Sequence, residues 1–313
     1  MLHNKLRHFT VLFVLLLAIS PASQAQRKNN DKNSEERAGT PVLWREPVGI
    51  EQRNLLLGAG GEAMKPELSH VTLLEEEKGG YSTKYRVRDG AGNEWVAKIG
   101  KEAQSETASN RLVWAVGYET EIVYLIPQLT IEGKGSFDNV RLEARPKNVK
   151  RTTEWSWEKN PFTGTPEFRG LKIMMLLINN WDMKDSNNKI LVARDDTSGP
   201  REERYVISDL GGSLGKTGGA LSRTRNKPSD FVKADFIDGI KSGVVDFHYK
   251  GKNKSLFDNI TVNDTRWIAS WLGKLSDEQL KDAFRAANYS PDQVDELAQA
   301  TRERIDVLVN IGK

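Results

Sequence analysis

Alternating apolar and polar positions between residues 71 and 100 predict three successive β-strands. The first covers residues 71–74 (VTLL), the second residues 83–88 (TKYRVR) and the third residues 94–99 (EWVAKI). The Gly- and Asn-rich residues 89–93 predict a turn between the last two strands. The pattern therefore indicates an antiparallel β-meander.

The meander is followed by a predicted helix over residues 103–116, because apolar residues recur there at helical spacing until Gly117 ends the pattern. Residues 119–131 and 140–144 then predict two more strands. The order in this half of the chain is three strands, one helix and two strands.

The second half of the chain is predicted to be mainly helical. Residues 170–178 (GLKIMMLLI) predict an apolar helix, and residues 292–311 predict an amphipathic helix near the C-terminus. Between them, residues 190–192 and 204–208 predict two short strands around a charged insertion, residues 193–203.

The N-terminus predicts export. Lys5 and Arg7 precede an 11-residue apolar run, residues 9–19, and small residues before Ala25 offer a cleavage site. The run is shorter than the roughly 20 apolar residues that span a bilayer, and no later stretch is long and apolar enough. Residues 26–41 are polar and predict a disordered linker. We therefore expect the first 25 residues to be removed and the mature protein to be periplasmic or extracellular.

Composition excludes several classes of protein. Removal of the first 25 residues lowers the formal charge from +3 to +1, and no basic run carries interleaved aromatic residues, so nucleic acid is not an expected partner. There is no cysteine, which excludes disulfides. Only His70 and His248 lie beyond the signal, which leaves little material for a histidine metal site or triad.

The first motif with chemical potential is the turn between the first two strands, where Gly79 and Gly80 precede Ser82 and Lys84. Glycines at such a turn would let backbone N–H groups approach a phosphate chain closely. A Gly-Gly pair in a hairpin is also simply a common turn.

The second motif is Lys98, in an otherwise apolar strand. Because an isolated buried ammonium group is costly, it requires a counter-ion, and Glu106 on the following helix is a natural one. The alternative is a lysine on the solvent face of an edge strand. A strand lysine paired with a helix glutamate is how protein kinases hold the α- and β-phosphates of ATP.

Two further motifs follow the apolar helix. Asp182, Lys184 and Asn187 have the Asp-x-Lys-x-x-Asn spacing of a kinase catalytic loop. Asp209 ends a strand and begins Asp-Leu-Gly, which matches the metal-binding Asp-Phe-Gly of kinases with Leu210 in place of phenylalanine. Read singly, the first could be an Asx-rich turn and the second an ordinary strand end.

Together, in this order and on these elements, the four motifs resemble the protein-kinase-like superfamily over roughly residues 72–215. The resemblance is closer to divergent members, such as toxin-type bacterial kinases, phosphoinositide kinases and secretory-pathway kinases. It implies an α+β, two-lobed fold, with a small antiparallel β lobe over residues 42–149 and a larger helical lobe over residues 150–313.

The resemblance also implies a function: an ATP- and Mg²⁺- or Mn²⁺-dependent phosphotransferase. Asp182 would be the catalytic base and Lys184 would steady the transferring phosphate. Asn187 and Asp209 would bind metal. The nucleotide would be held by the remaining motif residues: Gly79, Gly80, Ser82, Lys84, Lys98 and Glu106.

The sequence also departs from ordinary kinases. Asn180 and Trp181 stand where His and Arg precede the catalytic aspartate, and no Ala-Pro-Glu closes an activation segment. A pseudokinase that serves as a nucleotide-binding or scaffolding module is therefore an alternative. A carbohydrate- or cell-wall-binding protein is another, suggested by the loop residues Trp155 and Trp157. The phosphoryl acceptor, whether protein, lipid or glycan, is not identified by the sequence.

Overall fold

A computed structural model describes residues 39–79, 82–193 and 201–312 of the chain. The predicted signal peptide, most of the predicted linker and Gly80 lie outside the described residues. So does most of the predicted charged insertion.

The N-terminal half contains a five-stranded antiparallel sheet. A short strand, β1 (Thr40–Val42), precedes it and belongs to a different sheet. The five strands, which pair in the order β2-β3-β4-β6-β5, are β2 (Thr72–Glu77), β3 (Thr83–Arg88), β4 (Glu94–Ile99), β5 (Val123–Ile131) and β6 (Gly135–Ala144).

Strands β3 and β4 have the bounds that the alternation predicted. Each strand has one buried apolar face, on which Val87, Trp95 and Ala97 pack into an apolar cluster on the outer side of the sheet. Their neighbours in sequence, which include Lys84 and Lys98, point to the opposite side. A helix, α1 (Glu102–Ala115), follows β4 and contacts strands β4, β5 and β6.

A four-stranded sheet begins the second half of the chain. It has the order β1-β9-β8-β7, in which β1 pairs in parallel with β9. Its other strands are β7 (Val149–Arg151), β8 (Asn188–Ala193) and β9 (Glu202–Ile207). A hairpin of β10 (Ile237–Lys241) and β11 (Val244–Phe247) lies further along the chain.

Five helices build the remaining core: α2 (Pro166–Leu177), α3 (Pro228–Val232), α4 (Val262–Leu272), α5 (Asp277–Arg285) and α6 (Pro291–Val309). The apolar helix α2 is the most buried of the five, because most of its side chains from Phe168 onward lie in the main core. Its N-cap is Thr165, whose hydroxyl accepts a hydrogen bond from the Phe168 N–H, and Pro166 occupies the first turn, where no intrahelical donor is needed.

The architecture confirms the predicted α+β class, with an antiparallel sheet followed by a larger helical part. Among residues 39–79, 82–193 and 201–312, the structure contains no helix of the length and apolar character required to cross a membrane.

Candidate active site

A polar cleft of about 570 Å³ lies between the inner side of the five-stranded sheet and the helical part. It brings together most of the residues singled out in the sequence. Those that line it are Ser82, Lys84, Lys98, Glu106, Asp182, Lys184, Asn187 and Asp209.

Lys98 is the centre of an ion-pair network on the sheet side of the cleft. Its side chain is 2% exposed, and its Nζ lies 2.8 Å from Glu106 Oε2 and 2.9 Å from Glu102 Oε2, both on helix α1. It also lies 3.3 Å from Asp209 Oδ1. The register of the strand directs Lys98 towards helix α1, where the carboxylates offset the cost of burying an ammonium group. Lys98 is therefore not a solvent-facing lysine of an edge strand.

Glu106 is fully enclosed between two cations. Arg141, the cross-strand partner of Lys98 on β6, places Nη1 2.5 Å from Glu106 Oε1. Burial raises the pKa of Glu106 despite the opposing attraction of Arg141 and Lys98. The network continues from Arg141 to Glu143, 2.8 Å away on the same strand. The inner side of the sheet thus carries buried charges in place of an apolar core.

Asp209 reaches the cleft because β9 ends two residues before it and the chain turns through Gly211. The Gly211 N–H donates to Asp209 Oδ1 at 3.0 Å. A Cβ on Gly211 would lie 2.8 Å from the Cβ of Glu102, so only glycine permits this approach to helix α1. Burial acts to raise the pKa of Asp209, but Lys98 and the Gly211 N–H outweigh it and hold the pKa below the ordinary value.

Asp182 lies on the opposite wall, just beyond helix α2. The chain leaves the helix through Asn179, which has a positive φ of 51°, and Asn180 Oδ1 accepts a hydrogen bond from the Asp182 N–H at 3.0 Å. Lys184 Nζ lies 2.9 Å from Asp182 Oδ2, and Lys252 Nζ lies 2.5 Å from Oδ1. Burial acts to raise the pKa of Asp182, but the two lysines outweigh it, so that the pKa is lowered.

Asn187 ties the two acidic groups together. Its Nδ2 donates to the backbone oxygen of Asp182 at 2.7 Å, and its own backbone oxygen accepts from the N–H groups of Ser208 and Asp209 at 2.7 and 3.2 Å. Because the amide nitrogen is engaged, the side-chain oxygen of Asn187 is the atom left for a ligand. The loop thus sets Asn187 between Asp182 and Asp209.

The donor set at this position suits a hard cation. No group of three or more His, Cys, Asp or Glu side chains that could hold a metal occurs in the described parts of the chain. Asp209 and Asn187 supply one carboxylate and one amide oxygen, which is what Mg²⁺ needs when substrate phosphates and water complete its shell. These two residues fit the predicted metal role.

The predicted phosphate loop lies only partly within the described residues. Gly79 has a φ of 106° and open space around it, which agrees with a turn, and Gly80 lies outside the described residues. Ser82 donates from its hydroxyl to Glu102 Oε2 at 2.9 Å, and Lys84 pairs across β3 and β4 with Lys98. Ser82 and Lys84 therefore do lie at the cleft.

Several residues of the cleft have no counterpart among the predicted site residues. Arg141 and Glu143 are charged residues at inward positions of the apolar strand β6, a signal that the sequence does contain. Glu102, one turn before Glu106, could have been found by helical spacing. Lys252 could not, because no motif connects it to Asp182.

The aromatic loop does not support carbohydrate binding. Trp155 is 4% and Trp157 is 2% exposed, and their ring centroids lie 5.0 Å apart within the main core. The backbone N–H of Trp157 donates to Asp185 Oδ1 at 3.0 Å, so the loop packs against the segment that follows Asp182. The suggestion that these two tryptophans form a binding surface was wrong, since burial removes their faces from solvent.

The strand order, the strand lysine paired with a helix glutamate, and the loops ending at Asp182 and Asp209 confirm the predicted protein-kinase-like fold in a divergent form. No family model matches the chain, and no curated protein has a matching sequence. Among solved structures, a proinflammatory kinase of Helicobacter pylori is 11% identical with a TM-score of 0.49, covering 78% of this chain and 95% of its own. A Golgi casein kinase with Mn and ADP bound is 9% identical with a TM-score of 0.40, covering 98% and 93%.

Proposed function

We propose that the protein is an atypical kinase, an ATP- and metal-dependent phosphotransferase that acts outside the cytoplasm. The observation that carries the proposal is the position of Lys98 Nζ, within 3.3 Å of both Glu106 on helix α1 and Asp209 at the end of β9. A phosphate chain placed here would meet a fixed ammonium group on one side and a metal-binding carboxylate on the other.

The nucleotide would extend from this point into an adjoining cavity of about 500 Å³. That cavity shares Arg145 and Arg151 with the cleft and includes the apolar side chains of Ile122, Ala144 and Leu191. It borders the segment that leaves β6. A flat base could pack against the apolar side chains while the phosphates remain near Lys98.

In the transfer step, the acceptor hydroxyl oxygen bonds to the γ-phosphorus as the bond from that phosphorus to the bridging β–γ oxygen breaks. The hydroxyl proton passes to Asp182, and ADP leaves. Asp182 is ionised at neutral pH, as an aspartate ordinarily is, so its carboxylate can accept the proton. Mg²⁺ or Mn²⁺ held by Asn187 and Asp209 would neutralise phosphate charge.

A pseudokinase remains the second candidate, and one observation favours it. Both carboxylate oxygens of Asp182 already hold a lysine, Oδ1 that of Lys252 and Oδ2 that of Lys184. Such a carboxylate is a weaker base than a free one, because the two cations stabilise its ionised form. Nucleotide binding without turnover would identify this alternative.

Turnover of radiolabelled ATP with Mn²⁺ tests the proposal, with binding of a nonhydrolysable ATP analogue measured alongside. With water or an added serine peptide as the phosphoryl acceptor, we expect wild type to bind the analogue and to release ADP from ATP, and Asp182→Asn to bind equally while turnover falls by about 10²–10⁴-fold. Equal turnover by wild type and Asp182→Asn would contradict the assigned base. Absence of analogue binding by wild type would contradict the whole proposal.

A further inference from the structure

Four cationic side chains line the cleft near the loop that carries Asp182: Lys184 and Lys252 contact its carboxylate, and Arg223 and Arg225 contact the ring of Trp181, the residue before it. Lys184 already has a predicted role, which is to steady the transferring phosphate. The other three come from the segment after Asp209, and the nucleotide site described above does not require them. They line the same cleft as the proposed base.

Lys252 is fixed by backbone contacts to the loop that carries Asp182. The Lys252 N–H donates to the Trp181 backbone oxygen at 3.0 Å, and Asn253 Nδ2 donates to the Met183 backbone oxygen at 2.5 Å. Gly251 makes the approach possible, because a Cβ there would lie 2.8 Å from the Trp181 Cα. The position of Lys252 is therefore set by the fold.

The two arginines are held by Trp181, which is buried. The Arg223 guanidinium lies 4.2 Å and that of Arg225 4.6 Å from the centroid of the indole ring. The indole N–H donates to the backbone oxygen of Thr224 at 2.9 Å, which anchors the residue between the two arginines. Cation–π contacts of this kind hold a guanidinium in place without neutralising its charge.

The local charges do not balance. Arg225 pairs with Glu102, while Lys184 and Lys252 share the single carboxylate of Asp182. Arg223, which is half-buried, forms no ion pair with any carboxylate among the described residues. The cleft beside the proposed base therefore carries unneutralised positive charge, fixed at Arg223 and shared at Lys252.

We infer that this cluster is an oxyanion site for the acceptor: the molecule that offers the hydroxyl also carries a carboxylate or phosphate group beside it, bound by Arg223 and Lys252. A guanidinium presents paired N–H donors that match either group. An oxyanion on Lys252 would also draw that lysine from Asp182 and leave the carboxylate better able to accept a proton. The inference rests on the proposed function, because it assigns the acceptor of the same site.

Two pairs of probes test it with purified protein, with and without the ATP analogue and Mn²⁺. The first pair is two fluorescent serine peptides, one with Glu and one with Gln on either side of the serine. The second pair is glycerol 3-phosphate and glycerol, each measured as a competitor of the bound peptide. We expect the anionic member of at least one pair to bind about tenfold or more tightly, as one charge-assisted hydrogen bond would give. A preference in the first pair identifies an acidic peptide, and one in the second identifies a phosphorylated small molecule.

Arg223→Gln and Lys252→Gln should each remove most of that preference. Lys233→Gln is the matched control, because Lys233 is exposed and does not line the cleft, so the same loss of charge should have no effect. Equal binding of charged and uncharged probes in both pairs would overturn the inference, as would an equal loss in Lys233→Gln. If only analogue binding is absent, the proposed nucleotide function fails, while the oxyanion site is still judged by the preference.

Discussion

Lys98 Nζ lies 3.3 Å from Asp209 Oδ1, so a cation of the five-stranded sheet contacts a carboxylate of the opposite wall across the cleft. The same ammonium group also contacts Glu102 and Glu106 on helix α1. One buried group therefore connects the sheet, the helix and the end of β9, where the phosphates of the proposed nucleotide would lie.

Replacement of Lys98 by Met should remove most affinity for the ATP analogue. The expected loss is on the order of 2–4 kcal/mol, the value of a charged partner removed from a closed site. The free energy of unfolding should also fall, because three carboxylates lose their shared cation. Calorimetric titration and denaturant unfolding measure the two effects.

Lys281→Met is the control for this variant, since Lys281 pairs with Asp295 at the surface, 2.7 Å away, and should matter to neither property. A folded Lys98→Met protein that binds the analogue as tightly as wild type would exclude Lys98 as the phosphate anchor.

Glu143 should contribute strongly to stability near neutral pH. It is buried, and Arg141 and Arg151 lie 2.8 and 3.4 Å from its carboxylate, which Arg145 also contacts. Burial acts to raise its pKa, but the three arginines outweigh it and hold the pKa well below the ordinary value. Glu143→Gln should lower the free energy of unfolding by about 3–5 kcal/mol at pH 7, the usual effect of breaking a buried ion pair.

The pH dependence of this difference has a definite sign. A carboxylate with a lowered folded-state pKa stabilises the fold above the unfolded value, about 4.3, and the stabilisation is lost as pH falls towards the folded value. The difference in free energy of unfolding between wild type and Glu143→Gln should therefore become smaller below about pH 4. The exposed Glu296→Gln serves as control. A gap that stays constant down to pH 3 would show that the charge of Glu143 is not what stabilises the fold.

Export is a separate prediction from the sequence. Lys5, Arg7 and the apolar run before Ala25 predict cleavage after that residue. N-terminal sequencing of the mature protein from the cell envelope or medium should begin at or near Gln26. An intact Met1 on protein recovered from the cytoplasm would disprove it.

The sequence predicted the parts of the site that are local in the chain. Lys98 and Glu106 are eight residues apart, on a strand and on the helix that follows it, so their pairing could be predicted from their spacing in the sequence. Lys252 and Asp182 are 70 residues apart, and only the docking of one loop on another makes them neighbours. Trp155 and Trp157 were misjudged for a related reason: a loop can be buried by distant helices, and local composition carries no sign of it.

Titration of Mn²⁺ against the bound ATP analogue in wild type and Asp209→Asn tests the proposed metal-dependent nucleotide site. Asp209 is the one carboxylate assigned to the metal, and its removal leaves Asn187 as the sole remaining protein ligand of that proposed pair. We expect analogue affinity to rise with Mn²⁺ in wild type, and Asp209→Asn to lose this dependence while it stays folded. If Asp209→Asn retains wild-type dependence on Mn²⁺, the assigned metal site and the kinase mechanism built on it are wrong.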